Sequence, residues 1–197
     1  MGESREQLGR KYPITMVEYD PAWPRRFAEE SARLRSLFSA DLIPRIEHFG
    51  STAVVGLAAK PVIDLLIEIP SFARAEGEIR PVLESEGYVY IWRVDCTPPH
   101  IMFLKGYGTD GYLPGVQRYH LHLAPAGHPF HERLAFRDYL RSHPNVAAEY
   151  AALKWRLARE HRNDREAYTE AKTAFITEIM KKAEAERAGR DDSKDRR

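Results

Sequence analysis

IEHFGSTAVVGLAAKPVIDLLIEI, residues 46–69, decides how the rest of the chain is read. Residues 43–49 are short, mixed and apolar and predict a strand that ends at Gly50. Ser51-Thr52 then opens a short helix. Residues 61–69 (PVIDLLIEI) form the most apolar run of the chain and predict a central strand. A glycine lets the backbone approach a ligand closely. The free N–H groups of a helix start, with hydroxyls beside them, suit a phosphate. The alternative for Ser51 is an ordinary N-cap with no ligand. Lys60 offers a point charge just before the strand, or is a solvated loop lysine. Asp64 lies within that strand, where a carboxylate is costly unless it is ion-paired or binds a metal. Its alternatives are a metal and a buried pair with Lys60 or an arginine.

On the N-terminal side of this segment, Asp20-Pro21 predicts a helix start, followed by a stripe of Trp23, Phe27, Leu34, Leu37 and Phe38. Ser71 caps a helix over residues 72–86, which Gly87 stops. Residues 88–94 and 101–105 predict paired strands around a Cys-Thr-Pro-Pro turn, and 118–124 (RYHLHLA) alternates as a half-buried strand. Beyond Pro129 only helices are signalled. One covers 130–142 and ends at His143-Pro144. A second is capped by Asn145 and marked by Val146, Tyr150, Leu153 and Leu157. A third starts at Asp164 and is marked by Tyr168, Lys172, Phe175 and Ile179. The expected architecture is α+β: a mixed sheet flanked by helices over 13–126 and a C-terminal helical layer over 128–186, one domain in all. Residues 1–12 and 187–197 have little to bury and are expected to fray.

Of the 197 residues, 43% are hydrophobic and 30% charged, the balance of a soluble globular protein. A formal net charge of +1 gives no global field toward nucleic acid or an anionic membrane, so general nucleic-acid binding is not expected. The lone cysteine, Cys96, excludes a disulfide framework within the chain. There is no apolar leader and no run approaching the ~18 residues of a membrane helix, so the expected location is cytoplasmic.

Gly50-Ser51, twelve intervening residues, and Asp64 in a hydrophobic strand resemble the nucleotidyltransferase signature. The fuller string EHFGSTAVVGLAAKPVIDLL is similar to the GrpB-like family within that superfamily. His120-Leu121-His122, the FRDYLR run at 136–141 and the DREAY run at 164–168 with Lys172 and Phe175 agree. The resemblance covers about residues 15–180. It implies a nucleotidyltransferase-like mixed sheet in which Gly50, Ser51 and Thr52 hold a triphosphate. It also implies a divalent metal (Mg²⁺ or Mn²⁺) bound with a nucleoside triphosphate, and transfer to a small-molecule acceptor. GrpB-like domains are also found fused to dephospho-coenzyme A kinase, which points toward coenzyme A metabolism. Active superfamily members use carboxylates at alternate strand positions, and here the pattern breaks. The residue two after Asp64 is Leu66, and Glu68, on the same face, lies roughly 13 Å away along a strand.

His120 and His122 share one strand face. With Asp64 across the sheet they form a carboxylate–imidazole metal site, which favours Mn²⁺, Fe²⁺ or Zn²⁺ over Mg²⁺. Alternatively they contact phosphate or act as acid and base, or H-L-H-L is only an amphipathic strand with a wet face. Glu47 and His48 point to opposite faces. Glu47 or one of the two histidines is the candidate base for the acceptor, and His48 orients Ser51 or packs. Arg93 and Arg118 are strand arginines, each a phosphate ligand or a surface residue; Arg118 and Lys60 are counted among the nucleotide-binding candidates. Tyr168 and Lys172 sit one turn apart. The resemblance makes both candidates for closing over the nucleotide, while from the residues alone Tyr168 packs and Lys172 is a nucleotide contact or caps the edge of a core stripe with Phe175. His100, His128, His131, His143 and His161 lie near predicted turns and helix ends and read as surface.

A thiol nucleophile at Cys96 near His100 lacks an orienting third group. The 56–60 run lacks the spacing of a phosphate-binding P-loop and the Ser or Thr after its lysine. Two functions from different classes follow. One is an enzyme that transfers a nucleoside monophosphate from a nucleoside triphosphate. The other is a nucleotide- or phosphate-binding protein without turnover. Leu66 separates them.

Overall fold

The structure, a computed structural model, describes residues 4–93 and 98–194. Cys96, and with it the rejected thiol reading, lies outside the described residues. Helix α1 (Arg5–Lys11) occupies a segment expected to fray. Ser4 and Gln7 form a reciprocal capping box at its start, in which the Ser4 hydroxyl accepts from the Gln7 N–H and the Gln7 amide oxygen accepts from the Ser4 N–H. Helix α2 (Trp23–Leu37) starts three residues after the predicted cap, with the Asp20 carboxylate accepting from the Ala22 N–H at 2.8 Å. Strands β1 (Arg45–Phe49) and β2 (Val62–Ile69) flank a three-residue 3₁₀ turn, Ser51–Ala53, in place of the short helix expected there.

The helix predicted from Ser71 to Gly87 is present as α3 (Phe72–Arg74), a π-helical turn at Ala75–Ile79, and α4 (Arg80–Ser85). The Ser71 hydroxyl accepts from the Arg74 N–H, and Gly87 adopts a φ of 80° at the stop. Strands β3 (Val89–Arg93) and β4 (His100–Lys105) pair antiparallel. A small hairpin, β5 (Tyr107–Gly108) and β6 (Gly111–Tyr112), precedes β7 (Arg118–Pro125).

The five-stranded sheet has the order β1-β2-β7-β4-β3. It is mixed, because β2 and β7 run parallel while the other neighbours are antiparallel. Strand alternation divides its residues cleanly. Ile63, Leu65, Ile67, Ile69, Leu121, Leu123, Ile101 and Phe103 point to one face and are buried. There they pack with Trp23, Leu34 and Phe38 and with Ala75, Ile79 and Leu83 from the helices. The opposite face carries Glu47, Phe49, Asp64, Leu66, Arg118, His120, His122 and Met102, set level by the register. One face is thus the core, which leaves the other for polar groups.

The chain divides into two compact units, Val17–His131 with the sheet, and Met1–Met16 together with Glu132–Arg197. In the second unit a 3₁₀ turn (Pro129–Glu132) leads into α5 (Arg133–Ser142), followed by α6 (Pro144–Glu160), α7 (Arg165–Glu170) and α8 (Thr173–Lys194). Asn145 is not the cap of α6: Pro144 already occupies the first turn, and His143 precedes it. Asp164 caps α7 as predicted, by accepting from the Ala167 N–H at 3.0 Å. The predicted third helix is interrupted after Glu170, where the Ala171 N–H bonds to both Ala167 and Thr169 and tightens the turn. Residues 187–194, also expected to fray, continue α8. No helix among the described residues is long and apolar enough to cross a membrane.

Candidate functional site

The site begins with the sheet register. Asp64 on β2 is level with Phe49 on β1 and with His120 on β7, and His122 follows two residues along the same face. The Asp64 carboxylate oxygen Oδ1 lies 3.3 Å from His120 Nδ1 and 3.8 Å from His122 Nε2. One ligand atom from each of the three residues falls within 4.8 Å of the other two. Two ligands about 2.1 Å from one ion, at an angle near 100°, are roughly 3.2 Å apart, so this spacing fits a divalent cation. One carboxylate and two imidazoles suit Mn²⁺, Fe²⁺ or Zn²⁺ better than Mg²⁺.

Electrostatics agrees with the geometry. Burial raises the Asp64 pKa, but the hydrogen bonds and charges of His120 and His122 outweigh it and hold the carboxyl well below its usual range. Burial pushes the His120 imidazole down to about 4 against the pull of Asp64, with the charge on Lys60 adding to the depression. At neutral pH the site therefore presents an ionised carboxylate and a neutral His120, the forms a cation requires.

Gly50 makes the approach to Asp64 possible. Its φ of 72° with ψ of −178° is a glycine conformation, and a Cβ there would fall inside the Asp64 carboxylate. Ser51 beside it is half-buried. The hydroxyl of Thr52, expected beside the ligand, is engaged within the fold. It is buried, donates to the Val62 carbonyl at 3.1 Å and therefore accepts from His48 Nε2 at 3.1 Å. His48 stacks on Phe27 at 4.6 Å, so it packs and positions Thr52 rather than Ser51.

Glu47 lies on the site face, level with Leu66, and its carboxylate pairs with Arg45 at 2.8 Å. It is not among the converging ligand atoms. Leu66 itself is buried, and no carboxylate replaces it on β2; Glu68 stands farther along, level with Arg45. Arg118 shares the face of His120 and His122 and is 8% exposed, so it is not a surface residue. Its guanidinium lies 3.9 Å over the ring of Tyr112. Among the described residues no carboxylate pairs with it. Arg93 points a guanidinium nitrogen at the Met102 sulfur, 3.9 Å away. Lys172 belongs to the other unit, where its ammonium lies 4.3 Å over Tyr168, and Tyr168 is buried as a packing residue.

Two residues of the site escaped the sequence reading. His100, expected at the surface, is 1% exposed, and its Nε2 lies 3.1 Å from His122 Nδ1. Tyr107 in the small hairpin brings its hydroxyl within 2.6 Å of His120 Nε2. Phe49 meets His122 edge-on at 5.0 Å and Phe130 stacks on it at 5.2 Å, so both histidines are walled by aromatic rings. His128, His131, His143 and His161 are half-buried rather than exposed. His128 Nδ1 accepts from the Phe130 N–H, which ties the loop after β7.

The family model described as GrpB protein matches residues 13–182. The chain belongs to the GrpB family. It is 38% identical over 170 residues to a UPF0157 protein of Pseudomonas aeruginosa, covering 86% of this chain and 67% of that one. The crystal structure of the conserved protein GrpB from Enterococcus faecalis has a TM-score of 0.73 at 32% identity, covering 86% of this chain and 96% of that one. The α+β fold, here with a five-stranded mixed sheet, is thus similar to that of a solved GrpB structure. A dephospho-CoA kinase of Mycolicibacterium paratuberculosis is 29% identical over 199 residues, 91% of this chain. This GrpB-family chain spans only 48% of that kinase's length.

Proposed function

We propose that this GrpB-family protein binds a nucleoside triphosphate through a divalent metal, Mn²⁺ or Mg²⁺, and transfers the nucleoside monophosphate to a small acceptor. The observation that carries the reading is the convergence of Asp64, His120 and His122 beside a turn that only glycine can make. Asp64, His120 and His122 would hold the ion. A bound divalent ion supplies charge that neutralises phosphate oxygens and polarises phosphorus toward attack. Ser51 lies beside Gly50 to contact the phosphates, and Arg118 on the site face and Lys60, whose charge acts on His120, add positive charge. Arg118 is the stronger candidate of the two, because a buried guanidinium over a tyrosine ring is already oriented for a phosphate. With both histidines on the metal, Glu47 is the remaining base for the acceptor's proton. The likeness to a dephospho-CoA kinase supports a ligand of nucleotide type, with coenzyme A metabolism as the setting.

A second reading, nucleotide binding without turnover, is favoured by Leu66. It leaves the alternate strand position without a ligand, and Glu47 beside it is held by Arg45. Calorimetry of ATP, GTP, CTP and UTP with and without Mn²⁺, on the wild type and Asp64→Ala, tests both. Metal-dependent binding that Asp64→Ala abolishes supports the site, and release of pyrophosphate in an acceptor screen separates transfer from binding. Nucleotide binding that ignores both metal and Asp64 would sink it.

A further inference from the structure

We infer that Tyr107 and His100 are positioning residues, which fix His120 and His122 so that the ring nitrogens facing Asp64 are available to a divalent cation. The inference rests on the metal site proposed above and identifies what sets it. Each histidine has one nitrogen turned to Asp64, Nδ1 in His120 and Nε2 in His122. Each has its other nitrogen held from outside, by the Tyr107 hydroxyl at 2.6 Å and by His100 Nε2 at 3.1 Å. A metal-bound imidazole must carry its proton on the far nitrogen, and a partner there fixes both tautomer and ring plane.

The identity of the two partners explains the arrangement. Without metal, the Asp64 carboxylate accepts N–H from both rings, so Tyr107 and His100 must donate to the outer nitrogens. With metal, the inner nitrogens would give lone pairs to the ion, the protons would move to the outer nitrogens, and Tyr107 and His100 would accept, the proton of His100 then lying on its Nδ1. A phenol and an imidazole do both. A lysine, an arginine or a carboxylate would serve only one state. The rings also fix these partners in place. Tyr107 stacks on His120 at 5.6 Å, and His100 lies 4.2 Å from the Phe130 ring that stacks on His122. The β5–β6 hairpin therefore has a place in the site, since it is the element that brings Tyr107 over His120.

The test is titration of the full chain with Zn²⁺ alone, together with nitrogen-15 spectra of the imidazoles. Tyr107→Phe and His100→Leu are each expected to weaken Zn²⁺ binding by about ten- to a hundred-fold. His100→Gln, whose amide both donates and accepts, is expected to stay within a few-fold of wild type. On adding Zn²⁺ to the wild type, His120 is expected to appear as the Nε2–H tautomer and His122 as Nδ1–H. Folded Tyr107→Phe and His100→Leu proteins that bind Zn²⁺ as tightly as wild type would overturn the inference while leaving the metal site standing. So would the opposite tautomers in the bound state. A wild type that takes up no Zn²⁺ would overturn the metal site itself, and this inference with it.

Discussion

The backbone of Gly50 lies against the carboxylate of Asp64, leaving no room for a side chain between them. Phe49 and Asp64 are level across β1 and β2, so the chain turns into the Ser51–Ala53 segment directly over the carboxylate. Gly50→Ala meets two obstacles at once, a positive φ and the occupied space. The strained backbone alone costs about 1–3 kcal/mol. The displaced Asp64 would also lose its spacing to His120 and His122. A lowered urea midpoint together with loss of Mn²⁺ binding is expected. An alanine variant with wild-type stability and wild-type metal affinity would contradict this account of the turn.

Ser51 and Thr52 are adjacent hydroxyls with opposite expected phenotypes. Thr52 is 1% exposed and joins Val62 to His48, so Thr52→Val strands a buried carbonyl and an imidazole N–H. Each unsatisfied group costs about 1–3 kcal/mol, so the variant should unfold at distinctly lower urea. Ser51 has no such structural duty. Ser51→Ala should keep its stability within about 0.5 kcal/mol and lose nucleotide affinity instead. Parallel denaturation and calorimetry on the two variants check the pair, and equal stability losses would refute the division of roles.

The sequence made the central strand and the Asp64–His120–His122 set legible for a clear reason. A two-residue period on β7 and an apolar β2 leave few places for three polar residues, and the parallel register then aligns them. What remained hidden depended on pairing partners that periodicity does not encode. His100 follows Pro98-Pro99 and resembled a turn residue, yet it opens β4, whose Met102 pairs with His122. The alternation His100, Met102, Leu104 was the available signal. Tyr107 and Tyr112 bracket a Gly-Thr-Asp-Gly run, which is turn composition, but nothing local says that the hairpin reaches His120 and Arg118. The structural bonds of the Thr52 hydroxyl were not legible either, because a hydroxyl beside a ligand turn and a hydroxyl locking that turn look alike in sequence.

Arg118 should act on the anion and not on the metal. It lies on β7 two residues before His120, buried over Tyr112, and its Cγ packs where a Cβ on Gly106 would come within 3.0 Å. Hydrogen bonds from a charged group are worth about 1.5–3 kcal/mol, so Arg118→Ala should weaken Mn²⁺-dependent ATP binding about ten- to a hundred-fold. Mn²⁺ binding in the absence of nucleotide should be unchanged. Arg118→Lys should restore little, because an ammonium reproduces neither the planar fork nor the stacking. Full recovery by lysine would mean that only a point charge is needed.

The depressed basicity of His120 makes a prediction about acid stability whose sign follows from linkage. The folded protein holds this imidazole at about 4, against an ordinary value of 6.5, so the unfolded chain takes up the proton first. Above pH 6.5 both states are neutral and the residue contributes no pH dependence. As pH falls from 6.5 toward 4, the unfolded state is increasingly favoured, and the loss approaches about 3 kcal/mol. Asp64, held well below the usual carboxylate range, adds its own loss only at lower pH, where the unfolded carboxylate begins to protonate. The two contributions therefore separate on the pH axis. Urea unfolding of the wild type and His120→Gln at half-unit steps should show the wild type losing stability more steeply between pH 6.5 and 4, with parallel curves above 6.5. Parallel curves throughout would show that His120 titrates in the folded protein as it does in the unfolded chain.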